Sequence, residues 1–526
     1  MKRGDQLSKL NNNSEWDIII IGGGSSGLGA AVDAATRGYR TVLFEAHDFA
    51  KATSSRSTKL LHGGVRYLAQ GDIALVKEAL RERGLLERNA SHLAKKQVFV
   101  IPNYKWIDGP FYTIGLKIYD MLSKKLSLGK SEHISKSKAL EMLPTVEPNG
   151  LHGGVIYYDG QFDDSRMAVN LAQTAVENGG AIFNYMKVTG LIKDNKNQIV
   201  GVKVKDEISG SEYEVKGKVV LNATGVFTND ILNMNDPNHK KTVVPSQGIH
   251  LVLDKSFLPG DNALMIPKTS DGRVLFAVPW HNRLVVGTTD VLVDHPSLEP
   301  RALEQEIEFV LSTASQYLVK KPTRKDVLSI FAGQRPLAAP DKEGGSTKEV
   351  SRNHKILVSE TGLLSIIGGK WTTFRQMAED FIDKAIDTGK IDRKPCKTEN
   401  LSIHGNIPAD QVDRTNHLYV YGSDIPAIKK LQQENPELAQ KIHPNHEYTK
   451  AEIVWAVREE MAQKVEDILA RRVRLLFVDA RAAIDSAESV AKIIAKELGY
   501  DENWIANETK EFQELAKGYL LVNYQK

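Results

Sequence analysis

Three glycines near the start of the chain have the spacing that a dinucleotide phosphate requires. Gly22, Gly24 and Gly27 follow the apolar, β-branched run 18–21 and precede a stretch rich in alanine. The first glycine permits a tight turn, the second admits a pyrophosphate to the backbone, and the third lets the following helix pack on the strand. Ser26 lies in the same turn. We expect the phosphates to rest on N–H groups at the helix N-terminus, where the helix dipole is positive.

A carboxylate stands at the distance from this motif that a ribose contact requires. The short strand predicted at 41–44 ends in Glu45, which is 23 residues after Gly22. An acid at this place accepts hydrogen bonds from an adenosine ribose. A glycine motif alone is weak, but strand, glycines, helix, strand and acid in one βαβ unit predict a dinucleotide site. The motif does not separate NAD from FAD.

Two later stretches repeat the pattern of an apolar strand that ends in small residues. The predicted strand 219–222 runs into Ala-Thr-Gly, as in flavoproteins with two dinucleotide-binding elements, and this favours FAD over NAD. The predicted strand 363–367 runs into a diglycine that includes Gly369, and a helix is predicted to start near Thr372. The N-terminus of such a helix would face negative charge that develops on a flavin ring.

The composition bounds the class of protein. A chain of 526 residues exceeds what one hydrophobic core usually serves, so two or three domains are expected. Hydrophobic content of 41% with 26% charged residues is typical of a soluble globular protein. The formal net charge of +3 gives no electrostatic case for a nucleic-acid partner. The single cysteine, Cys396, excludes an internal disulfide and a thiolate cluster and fits a reducing cytoplasm, and no metal site is predicted.

A family resemblance is carried by three stretches. TSSRSTKLLHGGVRYL, which begins at Thr53, resembles the signature of FAD-dependent glycerol-3-phosphate dehydrogenases. GQRPL and GGKWTTFR resemble the GVRPL and GGKLTTYR of typical members, with departures at Gln334, Trp371 and Phe374. The resemblance runs from about residue 17 to 500.

The resemblance implies site residues. The cofactor contacts beyond the glycine motif and Glu45 are Thr53, Ser54, Ser57, Thr58, Lys59, Val188, Ala223, Gly225, Asp290, Gly369, Lys370 and Thr372. The substrate contacts are Arg66, Tyr67, Arg335, Arg352 and Lys370. Such a set of cations suits a phosphate dianion, which guanidinium groups bind in a bidentate manner. His62 is the first candidate for the catalytic base and His250 is the second.

The implied reaction is the oxidation of sn-glycerol 3-phosphate to dihydroxyacetone phosphate by hydride transfer to FAD. Electrons would pass to a membrane quinone, either ubiquinone or menaquinone. The resemblance also implies a homodimer, located in the cytoplasm and attached peripherally to the inner face of the cell membrane. Residues 99–130 are aromatic and basic, and by themselves they fit a surface patch on anionic lipid headgroups and ordinary core packing equally well. The resemblance favours the patch, because dehydrogenases of this family pass electrons to membrane quinone. The residues of this predicted patch are Lys105, Trp106, Phe111, Tyr112, Lys117, Tyr119, Lys124 and Lys125.

The predicted fold class is α/β. A Rossmann-like FAD domain of the glutathione reductase or D-amino-acid oxidase type carries an antiparallel-sheet substrate cap and a C-terminal helical domain. Residues 1–16 are predicted to be a flexible leader. The remaining boundaries place the FAD domain at 17–98, 151–242 and 332–390, the cap and membrane-facing region at 99–150 and 243–331, and the helical domain at 391–526. In that last domain Arg471 and Arg472 are predicted to lie on a solvated helix face.

Three other functions remain open from the sequence. The nearest is a glycerol-3-phosphate oxidase that uses oxygen. Another is an FAD-dependent amine or 2-hydroxy-acid oxidoreductase that binds a carboxylate through one arginine and Tyr67. The third, from a different class, is a flavin-binding scaffold or sensor whose C-terminal helices recruit a partner.

Overall fold

The computed structural model describes residues 1–12, 15–64, 71–105, 108–123, 126–269, 272–339 and 354–522. The strands are β1 (Trp16–Ile21), β2 (Thr41–Phe44), β3 (Leu60–Leu61), β4 (Lys95–Asn103), β5 (Glu132–Ser135), β6 (Gly153–Gln161), β7 (Ala181–Phe183), β8 (Met186–Lys193), β9 (Ile199–Asp206), β10 (Glu212–Asn222), β11 (Val243–Asp254), β12 (Ala263–Ile266), β13 (Leu275–Trp280), β14 (Arg283–Gly287), β15 (Val291–Leu292), β16 (Val327–Ala338), β17 (Lys355–Val358) and β18 (Leu363–Ile367).

The α-helices are α1 (Arg3–Asn12), α2 (Ser25–Arg37), α3 (Ile73–Asn89), α4 (Asp108–Ser123), α5 (Lys136–Met142), α6 (Asp164–Glu177), α7 (Thr228–Asn235), α8 (Glu304–Tyr317), α9 (Phe374–Ile386), α10 (Ile425–Glu434), α11 (Lys450–Glu459), α12 (Leu475–Val478), α13 (Ala480–Leu498) and α14 (Glu502–Lys517). A π-helical turn, Asp467–Arg472, lies between α11 and α12.

The first sheet aligns the strands that carry the predicted cofactor motifs. Its central order is β17-β18-β10-β1-β2-β7, and the neighbours from β18 to β7 pair in parallel. Ile21 is opposite Phe44 on one side and Asn222 on the other. Because parallel strands end at the same edge, the residues that follow β1, β2, β10 and β18 meet there. One face of this sheet carries α2, which packs between α6 and α9.

The second sheet is mainly antiparallel, as predicted for the cap. Its path is β15-β11-β14-β13-β12-β4-β6-β3, with β16 paired to β11 and β5 to β6. The one parallel pair among these described strands is β12 with β4. β3, β6 and the outer part of β16 belong to this sheet, although the sequence prediction assigned their residues to the FAD domain. Strand pairing with distant segments decides this membership, and local pattern does not.

The polar leader does not match its prediction. Arg3–Asn12 form α1, and Arg3 pairs with Asp206 at 2.7 Å. Gln6 and Leu10 lie on the buried face of this helix, which packs on β7. The prediction of a flexible leader is therefore wrong for 1–12, because a partly buried ion pair and an apolar contact hold this segment.

The prediction for the C-terminal arginines is also wrong. Arg471 and Arg472 are 2% and 1% exposed, so neither lies on a solvated face. Their guanidinium groups bond the buried carboxylate of Asp48, which lies in the cofactor domain. The predicted long helix is interrupted after α11, and the π-helical turn directs both arginines inward.

The connection between α9 and α10 is fastened to the FAD domain. His404 bonds Glu177 at the end of α6 through Nδ1 and Asp424 through Nε2, the latter at 2.9 Å. Burial alone would lower the pKa of His404, but these hydrogen bonds outweigh it and raise the pKa to about 9. The connection is thus held by a charged histidine at neutral pH.

This pKa predicts a pH-dependent contribution to stability. A folded-state pKa above the ordinary value of 6.5 stabilises the fold fully below pH 6.5, and this contribution is lost as the pH rises to about 9. We expect the difference in melting temperature between wild type and His404→Gln to shrink over that range. His443→Gln is the control, because burial lowers the pKa of His443 and its charge does not change there. A difference that stays constant between pH 6.5 and 9 would contradict the prediction.

Candidate active site

A cavity of about 390 Å³ lies at the edge where the parallel strands end. The residues directly after β1, β2, β10 and β18 all reach its wall, and these are Gly22, Glu45, Ala223 and Gly368. The cavity is therefore built by the four strand ends that the sequence motifs marked. This is the place where open α/β sheets bind nucleotides.

The glycine turn leaves no room for side chains. Gly22 has φ +105°, and a Cβ there would lie 2.7 Å from the carbonyl oxygen of Ala223. A Cβ on Gly27 would collide with the carbonyl oxygen of Gly22. The turn after β1 thus presses against both the start of α2 and the turn after β10. The N-terminus of α2 lines the cavity with Ser25 and Ser26, and its dipole favours an anion there, although the N–H of Ser25 itself donates to Ser54.

Glu45 is oriented by the backbone at the predicted ribose position. Its Oε2 accepts the N–H of Gly23 at 2.6 Å and its Oε1 accepts the N–H of His47 at 2.9 Å. Burial raises the pKa of Glu45, and these two hydrogen bonds act in the opposite direction. Each carboxylate oxygen has a further lone pair, so Glu45 is able to accept hydrogen bonds from ribose hydroxyls.

The loop 46–54, which follows Glu45, forms one side of the cavity. Ser54 accepts the N–H of Ser25 at its Oγ and the indole N–H of Trp371 at its carbonyl, at 2.9 and 2.8 Å. The hydroxyl of Thr53 donates to the carbonyl of Gln334 at 2.6 Å. Trp371 is one of the three departures from the family pattern, and its side chain holds this loop, whereas Gln334 does so through its backbone carbonyl.

The cavity gathers most of the predicted cofactor contacts. Those that line it are Gly22, Gly24, Ser26, Glu45, Thr53, Ser54, Val188, Ala223, Gly225, Gly369 and Lys370. The wall also includes residues that sequence reasoning missed, among them His47, Lys51, Thr224, Asp230 and Trp371. Lys51 and His47 lie between predicted residues, so proximity in sequence was the one signal that would have marked them.

Other predicted contacts lie away from this wall in the described part of the chain. Gly27 and Thr372 are buried in the packing beneath it. Ser57 donates its hydroxyl to Asp164 at 2.7 Å, and Lys59 is completely buried with its Nζ 2.7 Å from the same carboxylate. Asp164 and an aromatic surround enclose the ammonium group of Lys59, which is not part of this cavity wall.

The cap sheet presents His250 and Arg335 on one face. His250 is 2% exposed, stacks on Phe331 and shares a 2.9 Å hydrogen bond between its Nε2 and the hydroxyl of Thr58. Burial, together with the charges of Lys59 and Arg335, lowers the pKa of His250 well below its usual range. His250 is therefore neutral near pH 7, as a proton acceptor must be.

Arg335 and Asp290 are joined to each other. The guanidinium Nη1 of Arg335 lies 3.5 Å from Oδ1 of Asp290, and its Nη2 donates to Thr288 and Thr289 at 3.3 Å. The Arg335 side chain is 30% exposed, and the next residue, Pro336, lines the cavity. Asp290, predicted as a cofactor contact, thus orients Arg335 in this structure.

Part of the predicted substrate set is not described. Arg66, Tyr67 and Arg352 lie outside the described residues. His62 is half-buried and directly follows β3, at the end of the described range 15–64.

The donor set fits a dinucleotide such as FAD. The glycine cradle and the α2 N-terminus suit a pyrophosphate, while Glu45 suits a ribose. Hydroxyl and backbone groups of the loop 46–54 and the turn after β18 line the remainder. Two observations support this fit. The glycine turn has no room for a Cβ, and Glu45 presents carboxylate oxygens that accept hydrogen bonds.

Comparison with known proteins agrees with this geometry. A model of the FAD dependent oxidoreductase family matches residues 17–375, and a model of the C-terminal domain of alpha-glycerophosphate oxidase matches residues 359–504. The probable mitochondrial glycerol-3-phosphate dehydrogenase of Caenorhabditis elegans is 38% identical over 98% of this chain and 75% of its own length. The human mitochondrial glycerol-3-phosphate dehydrogenase is 37% identical over 94% of this chain and 72% of its own length.

Solved structures give the same picture. The glycerol-3-phosphate dehydrogenase from Bacillus halodurans, complexed with FAD, has a TM-score of 0.80 with 27% identity and covers 100% of this chain and 99% of its own. The L-alpha-glycerophosphate oxidase from Mycoplasma pneumoniae has a TM-score of 0.57 with 17% identity, covers 75% of this chain and 100% of its own, and shows the fold alone.

These comparisons confirm the fold class and the choice of FAD over NAD. They also confirm the family resemblance that was inferred from the three sequence stretches. The cavity, the glycine cradle and relatives that match nearly all of this chain lead to one assignment. The chain belongs to the FAD-dependent glycerol-3-phosphate dehydrogenase family.

Proposed function

We propose that this protein oxidises sn-glycerol 3-phosphate to dihydroxyacetone phosphate and passes the electrons to a membrane quinone, ubiquinone or menaquinone. The observation that carries the proposal is a cation, Lys370, on the wall of the FAD cavity. The relatives that match nearly all of this chain are named glycerol-3-phosphate dehydrogenases. FAD, when bound, supplies the redox chemistry by accepting the two electrons removed at C2. The chain supplies binding, orientation and a proton acceptor.

The phosphate is proposed to be held by Lys370 and Arg335. Lys370 follows the diglycine after β18 and lines the cavity. Arg335 presents a guanidinium that Asp290 orients and that stays partly exposed. Arg66, Tyr67 and Arg352 complete the proposed substrate set. A dianion gains from several cations because charge-assisted hydrogen bonds are about twice as strong as neutral ones.

The base is proposed to be His62, with His250 as the alternative. The C2 hydroxyl must lose a proton, and a neutral imidazole near pH 7 is suited to accept it. His62 is half-buried, so a substrate has more access to it than to His250, which is 2% exposed. The hydrogen bond to Thr58 instead suits His250 to a positioning role.

Removal of either phosphate-binding cation tests the substrate. We expect Arg335→Met and Lys370→Met each to raise the half-saturation concentration for glycerol 3-phosphate at least about tenfold, because each loses about 1.5 kcal/mol or more of charge-assisted binding. The measurement is anaerobic bleaching of the flavin absorption against substrate concentration. The control is Lys218→Met on β10, since the Lys218 side chain pairs with Asp17 on the outside of the sheet. Unchanged half-saturation in both test variants would refute the phosphate role.

One helix offers a surface for membrane attachment. On α4 the side chains of Phe111, Ile114, Ile118 and Met121 are 69%, 64%, 43% and 76% exposed. Their spacing places them on one helix face, while Tyr119 on the opposite face is 1% exposed. Tyr119 therefore belongs to the core and not to the predicted patch. Among the described residues, no helix is long and apolar enough to cross a membrane.

We propose that this apolar face dips into the lipid headgroup region. Trp106, Lys124 and Lys125 of the predicted patch lie outside the described residues, whereas Lys117 is exposed on α4. Peripheral attachment at the inner face of the cell membrane, a cytoplasmic location and a homodimer belong to the same proposal.

Vesicle binding tests the apolar face. We expect Phe111→Ser with Met121→Ser to weaken binding to vesicles of phosphatidylcholine and phosphatidylglycerol by about tenfold or more, since burial of each side chain contributes about 1.5–3 kcal/mol. The matched control is Val319→Ser with Val358→Ser, two side chains that are 55% and 45% exposed elsewhere. Equal loss in both double variants would show that the α4 face has no special role.

The electron acceptor separates the dehydrogenase from an oxidase. The match to the C-terminal domain of alpha-glycerophosphate oxidase keeps oxygen as the alternative acceptor. Stoichiometric peroxide per substrate oxidised would support the oxidase, and reduction of a quinone analogue with little peroxide would support the dehydrogenase. If amino acids or 2-hydroxy acids bleach the flavin and glycerol 3-phosphate does not, the substrate assignment is wrong.

A further inference from the structure

The loop 46–54 on the wall of the FAD cavity is held from the C-terminal helical domain. Apart from His47, the ionisable residues of this loop are Asp48 and Lys51. Lys51 pairs with Glu466, and Asp48 pairs with two arginines of the π-helical turn Asp467–Arg472. These partners lie more than 400 residues away along the chain, at separations of 415 to 424. None of the three partner side chains, Glu466, Arg471 and Arg472, is part of the described cavity wall.

The first anchor is the carboxylate of Asp48, which is completely buried. Arg472 donates to both of its oxygens at 2.8 and 2.9 Å, and Arg471 donates through Nε at 2.5 Å. Burial alone would raise the pKa of Asp48, but Arg472 and Arg471 outweigh it and lower the pKa to about 2. Asp48 is therefore a fixed anion, bound on two sides by the C-terminal domain.

The second anchor is the ammonium group of Lys51, whose side chain lines the cavity. Its Nζ bonds Glu466 and also Glu299, the latter at 2.7 Å. Glu299 in turn accepts from Arg56 at 2.7 Å and from the hydroxyl of Tyr519, near the end of α14, at 3.0 Å. The cap and the C-terminal domain thus meet at Lys51.

Arg471 joins the two anchors. Its Nε bonds Asp48, its Nη1 bonds Glu466 at 2.6 Å and its Nη2 bonds Asp467 at 2.8 Å. With all three nitrogens engaged, Arg471 is able to shift only if both anchors shift. Loss of one partner would leave a buried charge without compensation, so the loop and the turn are expected to move together.

The loop transmits this restraint to the glycine turn. The N–H of Ala50 donates to the carbonyl of Gly23 at 3.0 Å, and the hydroxyl of Ser54 accepts the N–H of Ser25. A displaced loop would therefore disturb the groups that suit the pyrophosphate and the ribose. We propose that Glu466, Arg471 and Arg472 of the C-terminal domain are positioning residues that hold the loop 46–54 closed on FAD. This inference does not depend on which substrate the enzyme oxidises.

The rate of flavin release from the holoenzyme tests the proposal. Glu466→Gln keeps the shape of the side chain and removes its charge, and Lys51→Met removes the partner on the loop. We expect each to raise the release rate about tenfold, followed as free-flavin fluorescence after dilution, because a charge-assisted contact is lost. The double variant should raise the release rate by less than the product of the two single effects, since both single variants remove the contact between Lys51 and Glu466. Lys51→Arg, which retains the charge, should restore slow release.

A second buried ion pair provides the matched control. Arg83 on α3 bonds Asp159 on β6 at 2.7 Å, and no hydrogen bond of the described residues joins this pair to the loop 46–54, Glu466, Arg471 or Arg472. We expect Arg83→Gln to change the release rate by less than about twofold even where it lowers the melting temperature. Equal release from Arg83→Gln and Glu466→Gln would overturn the proposal by showing general loosening. Fully additive effects in the double variant, or unchanged release in both singles, would also overturn it. Should Glu466→Gln fail to fold, the comparison of Lys51→Met with Lys51→Arg and Arg83→Gln decides.

Discussion

The parallel alignment of β1, β2, β10 and β18 is the constraint on which the rest of the site depends. It brings four strand ends from widely separated parts of the chain to one edge. The turn after β1 then contacts the turn after β10 so closely that a Cβ on Gly22 would meet a backbone carbonyl. With side chains excluded, backbone N–H groups and small residues form the cavity wall. A one-residue shift in the register of any of these strands would turn the side chains of that strand to the other face of the sheet and remove this arrangement.

The second layer of the site is electrostatic and is supplied by other domains. The loop 46–54 places Phe49 in the hydrophobic core, and beside it carries Asp48 completely buried. A buried carboxylate costs free energy unless it is paired and hydrogen-bonded, so its partners must be delivered by packing. The C-terminal domain delivers two arginines, and the cap contributes Glu299 beside Lys51. The helical domain is therefore coupled to the cofactor site through Arg471 and Arg472, although neither side chain lines the cavity.

The α4 helix shows the limit of periodicity as a predictor. Its apolar residues recur on two faces, and the sequence does not tell which face the protein covers. The structure buries Leu116 and Tyr119 and leaves Phe111, Ile114 and Met121 exposed. An exposed apolar stripe of this kind on a surface helix marks an interaction with a lipid surface or a partner.

The sequence by itself determined the glycine turn, Glu45, the later strand-to-glycine turns, the FAD family and the mainly antiparallel cap. These features depend on residues close together in the chain, because turn geometry and strand pattern are local properties. Only the tertiary structure decided that Lys59 points to Asp164 and that Arg471 and Arg472 are buried against Asp48. It also decided that Lys51 and Trp371 reach the cavity and that β6 pairs within the cap. Pairing of charges and strands is set by neighbours in space, and Asp48 and Arg472 are 424 residues apart in the chain.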